Sequence, residues 1–371
     1  MREPALSIDP RFVRRERQPG LDLLRALAIF VVVIYHTGIF GFALPYQWHR
    51  FGWVGVDLFF VLSGYLIGGQ LIGRLAQDGA IDFGRFYTRR ALRILPAYFA
   101  VLAIYFLLPS WREFPEIGPL WKFLISVQNI NLRGGTAFSH AWSLAIEDQF
   151  YLLLPLLLVF VSRKPGTGAV IVVAVFLGGL GLRAFLAWQH SGSSGVSFGG
   201  FQRWIYYPTW TRLDPLVLGV ALAAIEIHRP VWWTRLIGSA RWLWILGLAA
   251  VSCGLYIGEN ELTIATCVWQ FPLIALGMSA FLVCVVSPRL PFRQVPIPAA
   301  AFLASIAYSV YLSHKLVIHF ALQFCATYHI PLKSVRALLL VDVCIFAVGT
   351  VLFFAVERPF LQLRRRVASL E

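Results

Sequence analysis

The run LDLLRALAIFVVVIYHTG, residues 21–38, decides the fold. It has the length and apolarity of a helix that crosses a bilayer, which needs about 20 mostly apolar residues. Yet it contains Asp22, Arg25 and His36. Ionisable side chains are costly at bilayer depth, and their presence there is by default a sign of function. The step from Arg25 to His36 is eleven residues. At about 100° per residue, that is roughly 20° past three full turns, so both side chains point the same way, roughly 16 Å apart along the axis. Arg25 also fits a cation snorkelling to the interface. His36 also fits an interhelical hydrogen bond. Asp22 suits the entry of the helix or a pairing with Arg25.

The whole chain agrees with a membrane origin. Its 371 residues are 58% hydrophobic and only 13% charged, with a mean hydropathy of +0.71. Soluble domains carry about 25% charged residues, so this composition excludes them. Thirteen Trp and thirteen Tyr suit two interfacial belts. The net charge of +14 raises the question of nucleic acid. The basic residues, however, lie in short connectors between apolar runs, and positive-inside topology accounts for them without a nucleic-acid partner.

Apolar runs predict about ten transmembrane helices, near 21–40, 53–72, 94–110, 141–161, 168–188, 212–227, 240–257, 264–286, 299–320 and 335–356. LWKFLISVQNI (120–130) is too short to span and reads as a half-helix or interfacial helix. Lys and Arg are about twice as frequent in one set of connectors as in the other, which places both termini in the cytoplasm. The fold expected is an all-α polytopic membrane helix bundle. A cytoplasmic tail (1–20), one membrane domain (21–357) and a second tail (358–371) make up the chain. The first twenty residues are polar and hold five arginines, so 21–40 reads as an uncleaved signal anchor. The Gly/Ser-rich HSGSSGVSFGGFQR (190–203) reads as a flexible connector. The five cysteines have no metal-ligand spacing and read as structural thiols, so no metal is expected.

Four more polar clusters interrupt the apolar runs. In WVGVDLFFVLSGYLIG (53–68), Asp57 stands inside an apolar stretch, and Ser63-Gly64 allows another backbone to come close. In FYTRRALRILPAYF (86–99), Arg90 and Arg93 lie one turn apart. Such a pair suits a phosphorylated ligand, because guanidinium forks hold phosphate oxygens bidentately. It equally suits ordinary topology charge. In SHAWSLAIEDQFYLLLPLLL (139–158), Glu147 and Asp148 are neighbours, flanked by Trp142 and Tyr151. They point about 100° apart, so only one can face a given cavity. In SIAYSVYLSHKLVI (305–318), Tyr308, Tyr311 and His314 form one stripe, a pattern that also serves packing.

Taken in order, Asp22–Arg25–His36, GVDLFFVLSGYLIG, RRALRILPAYF, HAWSLAIEDQFYLLLP, SIAYSVYLSH and VERP (356–359) resemble acyltransferase family 3, over nearly the whole chain. These are integral-membrane acyltransferases that modify glycans, lipids and natural products. Two departures stand out: Asp148 replaces a second glutamate common after WSL, and the soluble hydrolase-like domain fused to some members is not present in these residues. Acceptor work is therefore expected of the membrane domain or of a separate partner.

The resemblance implies transfer of an acyl group, most often acetyl, from cytoplasmic acyl-CoA to a hydroxyl, in a bacterial inner membrane. Arg25, Arg90 and Arg93 then hold the CoA head group. A pantetheine arm is of the order of the roughly 16 Å between Arg25 and His36. His36 acts as general base, or as a covalent acyl carrier; the residues leave both open. Glu147 orients His36 or binds the acceptor. Asp22, Asp57, Ser63, Trp142, Ser143, Tyr311 and His314 bind substrate or support the site. The acceptor implied is a glycan, a lipid-linked sugar or a comparable hydroxyl compound. Two other classes compete: a proton-coupled secondary transporter or flippase, in which buried His and carboxylates relay protons, and a lipid-binding assembly protein.

Overall fold

The computed structural model describes residues 18–164, 166–193, 195–259, 262–290, 295 and 297–369. The N-terminal tail expected over 1–20 thus lies largely outside the described residues, and Pro19 and Gly20 already belong to the first helix. Among the described residues there are twelve helices of nine or more residues: α1 (Pro19–Ile39), α2 (Gly55–Asp78), α3 (Phe83–Leu107), α4 (Trp142–Ser162), α5 (Thr167–Gln189), α6 (Asp214–His228), α7 (Pro230–Gly238), α8 (Ala240–Ile257), α9 (Ile264–Val286), α10 (Pro298–Thr327), α11 (Val335–Leu352) and α12 (Arg358–Ser369). Shorter helical turns fill the connectors. A minimal hairpin pairs β1 (Ser191–Gly192) with β2 (Gly195–Val196), so the Gly/Ser-rich connector is partly ordered by strand pairing rather than irregular throughout.

Among the described residues nine helices are long and apolar enough to cross a membrane, and one bent pair makes a tenth candidate. The expected sixth span is that pair. α6 has only 15 residues, about 22 Å of rise, which falls short of a hydrocarbon core of about 30 Å. At Arg229-Pro230 the chain turns by 115° into α7. Pro230 sits at the first position of α7, where a missing N–H matters least.

The third span also differs from expectation. α3 begins at Phe83, with the Asp82 side chain accepting from the Arg85 backbone N–H at 2.8 Å. The arginine-rich stretch before 94 is therefore helix, not connector. LWKFLISVQNI contributes one short helix, Leu120–Leu124, as its length required. At the far end, α11 runs through a π-helical turn, Phe353–Glu357, into α12, so the expected C-terminal tail is helical over Arg358–Ser369.

Two compact units are separable. The first takes the described residues of 1–24, 57–81 and 146–296; the second those of 25–56, 82–145 and 297–371. In the first unit α8 packs along α9, while α5 and α6 pack on α9 and on each other. There α2 crosses α6 at close range. A Cβ on Gly64 would strike the Leu216 carbonyl, and one on Gly219 would strike the Val61 carbonyl. This is the small-residue approach that Ser63-Gly64 suggested, with glycine as the residue that permits it.

In the second unit α10 packs along α11, and α3 packs on both α10 and α12. Its core gathers Tyr98, Tyr105, Phe123, Phe138, Leu312 and Leu316. Phe138 stacks on Tyr105 and on Phe123, with ring centroids 4.5 and 5.8 Å away. That stacking fixes the connector just before α4, which delivers the next residues to the site.

Candidate active site

The second unit holds a buried polar cluster built by α1, α10 and the turn Ser139–Ala141 that opens α4. α1 presents His36, whose Nδ1 lies 3.0 Å from the Val32 carbonyl of its own helix. α10 presents His314, whose Nε2 lies 3.2 Å from His36 Nδ1, with ring centroids 4.7 Å apart. The other nitrogen of His314, Nδ1, lies 2.7 Å from the Tyr311 carbonyl. His36 is half-buried, while His314 is fully enclosed.

A third imidazole closes the cluster. His140 donates its Nε2–H to the Leu312 carbonyl at 3.2 Å, and its ring meets His314 edge-on at 4.8 Å. Tyr311 ties the turn to α10: its hydroxyl donates to the His140 carbonyl at 2.6 Å and accepts from the Ser143 hydroxyl at 2.6 Å. Trp142 and Ser143 are both buried at the first turn of α4. Tyr308, one turn earlier on α10, donates to the Ile94 carbonyl of α3 at 2.9 Å.

Beside this row lies a cation held inside the unit. Lys315 donates to the Ser139 hydroxyl at 3.1 Å and lies 3.8 Å from the Glu113 carboxylate. Glu113 in turn accepts the backbone N–H of Phe138 at 3.1 Å. Phe138 has a left-handed backbone, φ +57°, which is uncommon for a large side chain. The carboxylate and the ring stacking together hold it there.

Of the residues singled out from sequence, Arg25, His36, Arg90, Arg93, Trp142, Ser143, Tyr311 and His314 fall in this unit. His36, His314, Tyr311 and Ser143 are brought into one hydrogen-bonded neighbourhood. Arg25 is half-buried near the start of α1. Arg90 and Arg93 are half-buried on α3, and Arg93 lies within electrostatic reach of Glu357. Glu357 accepts the Ser309 hydroxyl of α10 at 2.8 Å.

Asp22, Asp57, Ser63 and Glu147 belong to the other unit. Asp22 is buried in the first turn of α1. Asp57 is fully buried and both its oxygens accept from Arg212, at 3.0 and 3.1 Å. Arg183 pairs with Asp214 at 2.5 Å in the same unit. The Arg212 guanidinium also lies over Phe271, 3.7 Å from the ring centre. Both are ion pairs buried inside the unit. Glu147 accepts the Tyr151 hydroxyl at 2.8 Å, one turn along its own helix.

Sequence reasoning passed over His140, Glu113 and Lys315. Lys315 carries the signal used for His36, a charge inside an apolar run, and follows His314 directly. His140 opens the HAWSL block but has no helical-period partner in it. Among the described residues no group of three or more His, Cys, Asp or Glu has an arrangement suited to a metal ion.

Comparison with known proteins adds four findings. A family model described as an acyltransferase domain matches residues 18–358. "O-acetyltransferase OatA" of Staphylococcus aureus (strain NCTC 8325 / PS 47) is 34% identical over 224 residues, 56% of this chain and 34% of the relative. "Putative O-acetyltransferase SAS0844" of Staphylococcus aureus (strain MSSA476) is 29% identical over 345 residues, 86% of this chain and 54% of the relative. The alignments thus span between about a third and about half of these relatives. No solved structure matches the chain.

Proposed function

The chain belongs to acyltransferase family 3, the integral-membrane O-acyltransferases, and from that premise we propose that it moves an acyl group, acetyl first of all, from cytoplasmic acyl-CoA to a hydroxyl of a glycan, lipid-linked sugar or similar acceptor. The observation that carries this reading is on α1. One unbroken helix bears Arg25 and His36, and His36 enters a buried polar row rather than facing apolar neighbours alone.

Arg25, with Arg90 and Arg93 on α3, supplies guanidinium groups for the phosphates of CoA. Glu357 lies within electrostatic reach of Arg93 and competes with those phosphates for it. Roughly 16 Å of helix separates Arg25 from His36, a span that a pantetheine arm can cover. His36 takes the proton of the acceptor hydroxyl as that oxygen attacks the thioester carbonyl. The new C–O bond forms, the C–S bond breaks, and the thiolate recovers the proton from the imidazole to leave as CoA. The setting proposed is a bacterial inner membrane with both termini cytoplasmic, as the connector charges favour. Glu147 and Asp57 are assigned supporting roles in the other unit.

The test is product formation by folded, purified protein with saturating acyl-CoA and an acceptor, identified by mass spectrometry of envelope glycans and lipids for an acyl mass lost with the gene. His36→Ala should lower turnover by about 10²–10⁴-fold while acyl-CoA binding persists. Near-parental turnover by that variant would remove His36 from the chemistry. Transport of a solute without acyl-CoA consumption would remove the enzyme reading altogether.

A further inference from the structure

We propose that His314 is a positioning residue that fixes the tautomer of His36, so that Nε2 of His36 is the reacting nitrogen. A neutral imidazole has one N–H and one lone pair, and the hydrogen bond made by one nitrogen decides the role of the other. Two backbone carbonyls settle the assignment. The Tyr311 carbonyl, 2.7 Å from His314 Nδ1, can only accept, so that nitrogen carries the proton and His314 Nε2 presents a lone pair. The Val32 carbonyl, 3.0 Å from His36 Nδ1, likewise requires a proton on that nitrogen.

The contact between the rings then falls into place. His36 Nδ1–H is shared between the Val32 carbonyl and the His314 Nε2 lone pair at 3.2 Å. Reversing either tautomer would set a lone pair against a carbonyl oxygen or two lone pairs against each other. His36 Nε2 is left as an acceptor, and no described residue occupies it with a hydrogen bond. The arrangement also serves the next step. When Nε2 takes a proton, Nδ1–H keeps both acceptors, so the imidazolium forms without any group turning over. This is the office that an orienting carboxylate performs for a catalytic histidine elsewhere, here done by a neutral ring.

His314 itself has little room to rotate. Its Nδ1 is tied to its own helix, its ring is edge-on to His140, and Tyr311 beside it is held by His140 and Ser143. His314 thus acts through His36, where the stripe on α10 read alone served packing equally well.

The test is ¹⁵N solid-state NMR of the histidine-labelled whole protein in lipid bilayers, with His36 assigned by difference against His36→Gln. In the parent, His36 should show a protonated Nδ1 and a bare Nε2. In His314→Leu the tautomer ratio should move about two- to tenfold toward Nε2–H, the effect of one lost hydrogen bond. His314→Asn, polar but too short, should behave alike. His314→Gln, whose amide oxygen reaches the place of Nε2, should keep the parental tautomer. A protonated Nε2 in the parent overturns the proposal without any variant, as does an unmoved ratio in both loss variants.

The kinetic arm rests on the acyltransferase reading. Turnover should fall at least tenfold in His314→Leu with KM for acyl-CoA unchanged, and recover in part in His314→Gln. The two readings fail separately. The NMR result holds even if the parent transfers no acyl group, and transfer by a parent with Nε2–H would sink only the positioning role.

Discussion

Replacing Arg212 with Leu should strand a charge in the interior of the first unit. Its partner Asp57 is fully buried and takes both of its strong bonds from that one guanidinium, at 3.0 and 3.1 Å. Two unit charges about 4 Å apart attract by about 4 kcal/mol at an effective dielectric of 20. Removing one partner of a buried pair costs about 3–5 kcal/mol, because the other charge stays buried without compensation. The contact with Phe271 at 3.7 Å is lost as well, adding about 1–2 kcal/mol. Arg212→Leu should therefore destabilise by roughly 4–7 kcal/mol, and Asp57→Leu by roughly 3–5 kcal/mol. The double variant should cost less than either single, since no unpaired charge then remains. Reversible unfolding in mixed micelles, read as a double-mutant cycle, measures the coupling. Additive losses would refute the reasoning and show that the pair contributes nothing as a pair.

Two further outcomes are expected. Arg90→Ala and Arg93→Ala should each weaken acyl-CoA binding, and the lysine variants should recover part of the loss, because lysine keeps the charge but not the fork; isothermal titration that finds both alanine variants unchanged would leave these arginines as topology signals only. Cysteines placed at Asp78 and at Ser193, both exposed, should label from opposite faces of the membrane, and labelling from the same face would end the proposed topology.

The spans were legible because an apolar run near 20 residues long is a local property. α8 and α9 fall where hydropathy placed them. The start of α3 was not, because arginines in a helix look like connector charge until the Asp82 cap is seen. The common face of Arg25 and His36 came from helical period alone. The partners of His36 did not, since His314 and His140 reach one another from separate helices and no period relates them. The same holds for Glu113, whose carboxylate serves a backbone N–H 25 residues on and an ammonium on α10. Asp57 was visible as a charge in an apolar run, but its engagement by Arg212, 155 residues later, depends on the packing of α2 against α6.

The distance along the chain between His36 and His314 has a consequence in time. They are 278 residues apart, and a ribosome adding about 5–20 residues per second needs roughly 14–56 s to make that stretch. For that interval the nascent α1 must enter the bilayer with its imidazole lacking the ring that will accept its Nδ1–H hydrogen bond. Water, a lipid head group or the insertion machinery has to satisfy it meanwhile. This hydrophobic segment, made well before its partner on α10, is therefore late to reach its finished surroundings.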